Sequence, residues 1–123
     1  MPRTVAIIGA SADRSKFSNK AIRAFLRQGY CVIPINPKET EIEGLKAYAS
    51  VADVPGPIDM ASFYLPPTVG ERVIDQMAAK GITEVWLNPG ADSEALVAKA
   101  RALGLKPIVA CSIVGIGESP GSF

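Results

Sequence analysis

The sequence contains no histidine, two cysteines and one tryptophan among its 123 residues. Without histidine, neither a Ser-His-Asp nor a Cys-His arrangement can be assembled. Cys31 and Cys111 form no CxxC pair, so a zinc site lacks ligands and a disulfide framework lacks cysteines. Excess charge of one sign is also missing. Thirteen basic residues face twelve acidic ones, for a net charge of +1, and the basic ones are scattered. A nucleic-acid binder concentrates such charge into a patch, so that class is disfavoured. No apolar run reaches the roughly 20 residues of a membrane span. Met1-Pro2-Arg3-Thr4 leads straight into an apolar run with no signal-peptide architecture, which makes the cytoplasm the expected address. The length suits one domain over residues 1–123, and the apolar fraction of 48% is that of an ordinary globular chain.

What is present is one recurring unit. Val5 to Ile8 is a continuous apolar run, too brief for a helix and not alternating, which is how a strand buried on both faces reads. The same holds for Cys31 to Ile35, Met60 to Leu65, Val85 to Leu87 and Pro107 to Ala110. Helical patterns lie between most of them. One begins at Ser18, places Ile22, Phe25 and Leu26 on one face, and is followed by Gly29. Another begins at Thr68, where Glu71 completes a capping box, and ends at Gly81. A third opens at Asp92 or Ser93, carries Leu96, Ala100 and Leu103, and stops at Gly104. The order predicts an α/β fold: a Rossmann-like, doubly wound parallel sheet of five strands in the order 3-2-1-4-5, with three main helices. The link from Asn36 to Pro57 is irregular. Its broken amphipathic stretch predicts a short strand or a single helical turn in place of a crossover helix.

In such a fold the ligand crevice lies beyond the carboxyl ends of the strands. The first loop, Gly9-Ala10-Ser11, precedes a helix whose expected cap is Ser18, with Phe17 and Ile22 placed as a hydrophobic staple. Exposed amides there, with the Ser11 and Ser18 hydroxyls nearby, suit a phosphate. The second and third helices carry Glu71 and Glu94 in their expected first turns. The first has Lys16 before it and Lys20 within it, unfavourable to the macrodipole by about 0.3–1 kcal/mol each unless an anion sits among them. The plain alternative is that both lysines are solvated, with Asp13 neutralising one. Gly-Ala-Ser is not the full GxGxxG fingerprint.

The second loop selects the kind of nucleotide. An unphosphorylated dinucleotide calls for Asp or Glu at the end of strand two, to accept from the ribose hydroxyls. Here the residues are Asn36-Pro37-Lys38. An ammonium at that point suits a phosphorylated ribose, either NADP or the 3′-phosphoadenosine of coenzyme A. Glu39 and Glu41 keep NAD formally open, and Lys38 as a plain surface lysine is the competing reading.

Val5 to Ser11, then Lys16-Phe17-Ser18-Asn19, then Gly29-Tyr30 leading into Val32 to Lys38, resemble the small stand-alone CoA-binding protein family. Ser50 to Val54, Val85 to Gly90 and Cys111 fit its pattern in order, so the resemblance covers essentially the whole chain. The family is similar in fold to the nucleotide-binding domain of the succinyl-CoA synthetase alpha subunit. The resemblance implies that the Gly9 to Ser11 turn and the Ser18-Asn19 helix start hold the pyrophosphate. It implies further that Asn36 to Lys38 sit by the ribose and its 3′-phosphate, and that Leu65, Pro66 and Pro67 flank the adenine. Asn88 to Gly90 and Cys111 would lie toward the pantetheine arm. The chain departs from the family pattern at Asn88, where Gln is common, and in the Gly-rich tail from Ser112 to Phe123.

Catalysis has less support. The chain has no residue for the phosphohistidine of the synthetase. Asp13, Asp53 and Asp59 have loop or cap explanations, and Cys111 is either a crevice thiol or a small buried hydrophobe. Trp86 and Phe63 are expected in the core. The resulting expectation is a non-catalytic protein binding coenzyme A or an acyl-CoA. The alternative is an NADP-dependent or CoA-using enzyme component completed by a partner protein. A homodimer or an unidentified protein partner stays open.

Overall fold

The computed structural model describes residues 2–123. Five parallel strands form the main sheet: β1 (Thr4–Ile8), β2 (Cys31–Ile35), then, after a small hairpin β3 (Glu41–Ile42) and β4 (Leu45–Lys46), β5 (Met60–Phe63), β6 (Glu84–Leu87) and β7 (Lys106–Val109). Their spatial order is β2-β1-β5-β6-β7. The helices are α1 (Phe17–Arg27), α2 (Pro67–Lys80), α3 (Glu94–Ala102) and a single turn, α4 (Ser112–Gly115).

The central strands read as continuous apolar runs because both sheet faces are covered. Val5 and Ile7 point into one cluster with Ala21, Ile22 and Phe25 of α1. Ala6 and Ile8 point into the other, with Ile74 and Met77 of α2 and Leu96 of α3. Burying each such large side chain contributes about 1.5–3 kcal/mol. The layers are therefore α1 and α4 on one face, α2 and α3 on the other. Doubly wound packing follows directly.

The Rossmann-like order 3-2-1-4-5 appears when the third place goes to Tyr48, which makes a single parallel bridge with Ile35 on the outer edge of β2, and β7 then adds a sixth position at the opposite edge. The backbone there is paired on both sides, Asn36 N–H donating to Tyr48 O at 2.9 Å and Tyr48 N–H to Pro34 O at 3.0 Å. The run from Met60, which the sequence reading puts in third place, lies instead beside β1, with Ala61 opposite Ala6. The irregular link thus supplies the outer strand in vestigial form. It also contains the β3–β4 hairpin, whose turn residues Glu43 (φ 52°) and Gly44 (φ 76°) are both left-handed, as a type I′ turn requires. A 3-10 turn at Val51–Asp53 completes it.

Helix boundaries bring three corrections. Lys16, not Ser18, is the N-cap of α1, and Ser18 is its buried second residue. Phe17 is then the first helical residue and 58% exposed, so no staple forms with Ile22. Pro66 caps α2 without a side-chain hydrogen bond and Pro67 takes its first position. A proline there loses no helical hydrogen bond and presets φ, which outcompetes a Thr68 capping box and moves Glu71 out of the first turn. Ser93 caps α3 as expected, accepting from Leu96 N–H at 3.0 Å. Gly29, Gly81 and Gly104 all follow their helices with positive φ.

Candidate functional site

The carboxyl ends of β1, β2, β5 and β6 frame a cleft of about 650 Å³. It opens where the chain leaves β1 toward β2 on one side while β5 continues the sheet on the other. Gly9 is at its centre, with φ +86°, and a Cβ built there would lie 2.8 Å from Leu65 Cδ2. The left-handed backbone and the close approach together favour glycine there.

The loop from Ser11 to Lys16 is internally tied. Ser11 Oγ accepts from Asp13 N–H at 3.0 Å, and Asp13 Oδ1 accepts from Ser15 N–H at 3.0 Å and from the Ser15 hydroxyl at 2.7 Å. The hydrogen bonds from Ser15 hold the Asp13 carboxyl below the usual carboxylate range, with a smaller attraction from Lys16. Asp13 is thereby committed to its own turn. Lys16 takes part in none of the ion pairs among the described residues. The start of α1 has no acidic residue in its first turn. Two N–H groups that a helix cannot satisfy internally, on Phe17 and Ser18, face the loop end. Lys20 is drawn aside, its Nζ lying 5.3 Å from the Phe17 ring centroid. The contrast with α2 is smaller than the sequence implied, because α2 likewise lacks a first-turn acid.

Ten of the residues singled out from sequence line this cleft: Gly9, Ala10, Ser11, Lys16, Ser18, Asn36, Pro37, Leu65, Pro66 and Gly90. Asn36 also braces it, its Nδ2 donating to Ala10 O at 2.8 Å while its Oδ1 accepts from Lys38 N–H at 2.7 Å. Asn19 is adjacent but spent on structure. Its Nδ2 donates to Ser11 O at 2.9 Å and to Glu43 Oε2 at 3.2 Å, and its Oδ1 accepts from Arg23 Nε at 2.8 Å. Lys38 is exposed and Pro67 begins α2; neither lines the cleft.

Asn88 and Cys111 line a smaller chamber of about 100 Å³ together with Phe17, Tyr64 and Pro89. The last three also wall the main cleft, which makes the chamber its inner end. Cys111 is half-buried there, while Cys31 is exposed at the opposite end of the sheet, and both are free thiols. The amide of Asn88 is fully engaged below the chamber floor, with Ser62, Phe63 O and Ser112 N–H.

Tyr64, Ser62 and Ser112 escaped the sequence reading. Tyr64 was hidden because the apolar run through Leu65 overstates β5 by two residues; the strand ends at Phe63 and Tyr64 is the first crevice residue after it. Burial pushes its hydroxyl pKa up, so it stays protonated at neutral pH. On the far side of Gly9, a third, apolar pocket of about 270 Å³ is lined by Ile8, Ile35, Val51, Leu65, Val73 and Met77, with Pro37 at its rim. No helix among the described residues is long and apolar enough to cross a membrane.

The chain is similar to several proteins. It is 35% identical over 85 residues to the alpha subunit of acetate–CoA ligase (ADP-forming) II of Pyrococcus furiosus, a match covering 68% of this chain and 19% of that subunit. The chain thus spans about a fifth of that relative's length. It is 32% identical over 92 residues to the uncharacterized protein YneT of Bacillus subtilis, covering 75% of this chain and 68% of that one. The solved structure of a conserved hypothetical protein from Pyrococcus furiosus superposes with a TM-score of 0.85 at 34% identity, over 92% of this chain and 98% of that one. The model of the CoA binding domain matches residues 3–116. With the Rossmann-like sheet and its crevice in view, this chain belongs to the CoA binding domain family.

Proposed function

We propose that this chain binds coenzyme A along the crevice, with the phosphates at the Gly9 to Ser18 loop. One observation carries the reading: Gly9, Pro37 and Leu65 border both the loop-lined cleft and the apolar pocket behind it. A ligand with a flat apolar base joined to phosphates fits across that junction. The base would enter the pocket between Leu65, Val51 and Met77, and the pyrophosphate would meet the amides at the start of α1 beside Lys16. The remaining arm would run over Gly90 toward Cys111. Asn19 and Asn88 act by holding the walls, since their side-chain amides are already bonded.

Coenzyme A is therefore expected to stabilise the protein against heat far more than NAD at equal concentration. At about 100 Kd of ligand the gain is about 2.7 kcal/mol, and for a chain of this size this raises Tm by about 10 °C. A differential melting series with coenzyme A, NAD and NADP checks it. A shift with NAD equal to that with coenzyme A overturns the assignment, and a larger one with NADP moves it to the alternative cofactor.

Lys38 supplies a second check. Its exposed ammonium follows Pro37 of the cleft wall and is suited to the 3′-phosphate. Coenzyme A is expected to bind up to about tenfold more tightly than its 3′-dephospho form, with Lys38→Ala erasing most of that preference. Calorimetric titration of both proteins with both ligands yields the four constants. Equal discrimination by the two proteins would make Lys38 an ordinary surface residue.

The length of the acetate–CoA ligase relatives favours a second arrangement of the same site. In it, the domain presents its ligand to a partner protein that supplies the chemistry, as the absence of histidine from this chain would require of a histidine-dependent reaction.

A further inference from the structure

The polar groups beneath the inner chamber form a chain with one direction. Asn88 Oδ1 accepts from the Ser112 N–H at 2.8 Å, and its Nδ2 donates to Phe63 O at 2.8 Å. Both partners are backbone groups of fixed sense, so the orientation of the amide is determined. Its second N–H donates to Ser62 Oγ at 2.8 Å. Ser62 is fully buried; the Tyr64 hydroxyl lies near enough to be felt by it, but the one other well-formed side-chain hydrogen bond it makes is with Ser112 Oγ at 2.7 Å. The Ser62 proton must go there. Ser112 is also fully buried, and its own proton is left for the Tyr64 oxygen at 3.2 Å. Running the chain the other way would strand a buried hydroxyl proton, and a buried unmade hydrogen bond is costly.

Tyr64 therefore accepts from below and its own proton is directed elsewhere. The open space it borders is the chamber shared with Phe17, Asn88, Pro89 and Cys111. No charged side chain lines that space, which disfavours a carboxylate and suits a neutral acceptor. Its volume of about 100 Å³ is that of about three water molecules at liquid density. A carbonyl with one or two carbons fits; a long chain does not.

We propose that Tyr64 is a specificity-determining hydrogen-bond donor that favours a short acyl thioester over the free thiol at the inner end of the crevice. The inference rests on the coenzyme A reading. The thioester carbonyl oxygen accepts from the Tyr64 hydroxyl, and the small acyl group packs on Phe17 and Pro89. The free thiol offers only a weak acceptor and leaves the tyrosine proton unsatisfied.

Calorimetric titration with acetyl-CoA, S-ethyl-CoA and coenzyme A tests this, because the thioether matches the acetyl group in size and lacks only the carbonyl. Wild type is expected to bind acetyl-CoA about three- to tenfold more tightly than S-ethyl-CoA. Tyr64→Phe should abolish that preference and leave S-ethyl-CoA affinity within about twofold. Ser62→Ala keeps the phenol but removes the group that fixes its direction, so the preference should fall by at least half. The wild-type comparison stands even where a variant fails to fold. Equal affinities for acetyl-CoA and S-ethyl-CoA, with both binding, overturn the proposal and leave the coenzyme A reading intact. A preference untouched by Ser62→Ala overturns the directed chain. Failure of all three ligands to bind refutes the coenzyme A reading itself, and this proposal with it.

Discussion

Gly9→Ala is expected to destabilise the protein by about 2–4 kcal/mol and to weaken ligand binding at least tenfold. Two separate penalties meet at this residue. Its φ of +86° is a conformation that costs a residue with a Cβ about 1–3 kcal/mol. The added methyl would also lie 2.8 Å from Leu65 Cδ2 and 3.3 Å from the Tyr64 carbonyl carbon. The leucine can swing aside, but it then intrudes on the junction between cleft and apolar pocket. The backbone carbon of Tyr64 has little freedom to give way, because Tyr64 N–H is bonded to Ile8 O at 2.9 Å at the carboxyl end of the central strands. A double-mutant cycle with Leu65→Ala separates the terms. In that background the part due to the leucine should vanish, while the conformational part and the contact with the Tyr64 backbone should remain. Urea unfolding of the four proteins measures both, and a Gly9→Ala protein within 0.5 kcal/mol of wild type on the scale of such curves would remove the close approach as an explanation for the glycine.

Gly9 was legible as a crevice residue because a glycine directly after a buried strand has few other uses. The same logic served for Asn36, Pro37 and Gly90, which lie within three residues of their strand ends. What was not legible follows from side-chain direction. Asn19 and Asn88 carry the amides expected of ligand contacts, yet both are consumed within the fold, and apart from Arg23 beside Asn19 every partner lies 8 or more residues away in sequence. No local pattern encodes such partners. Tyr64 was lost because an apolar run does not mark where a strand ends, and in a parallel sheet the last two residues of the run can already be loop. The strand order was legible as a class, while the strand in third place was not. Tyr48 forms a single bridge there, and one paired residue has no periodicity to read.

Asn88 is the residue whose removal should separate framework from ligand contact most clearly. Asn88→Ala is expected to cost about 2–4 kcal/mol, lowering Tm by about 8–16 °C. The side chain is 2% exposed and makes three hydrogen bonds, to Ser62 Oγ, Phe63 O and Ser112 N–H. Alanine leaves the Ser112 N–H buried without an acceptor and Phe63 O without its side-chain donor. It also opens a void beneath the chamber, which adds to the loss. Asn88→Leu keeps the branched shape, at somewhat larger volume, and removes every hydrogen bond, so it tests which term dominates. A leucine as damaging as alanine assigns the cost to the unmade hydrogen bonds; a leucine near wild type assigns it to packing. The glutamine variant adds one methylene between backbone and amide, and three partners fixed in place leave no room for it without a shift of α4. Its cost should lie below that of alanine, because the amide can still reach two of the three. Binding separates the roles further. If Asn88 only holds the floor, coenzyme A should still raise the Tm of Asn88→Leu by nearly the wild-type increment. Melting curves with and without ligand measure this, and a vanished increment in a protein that otherwise melts cooperatively would make Asn88 a ligand contact after all.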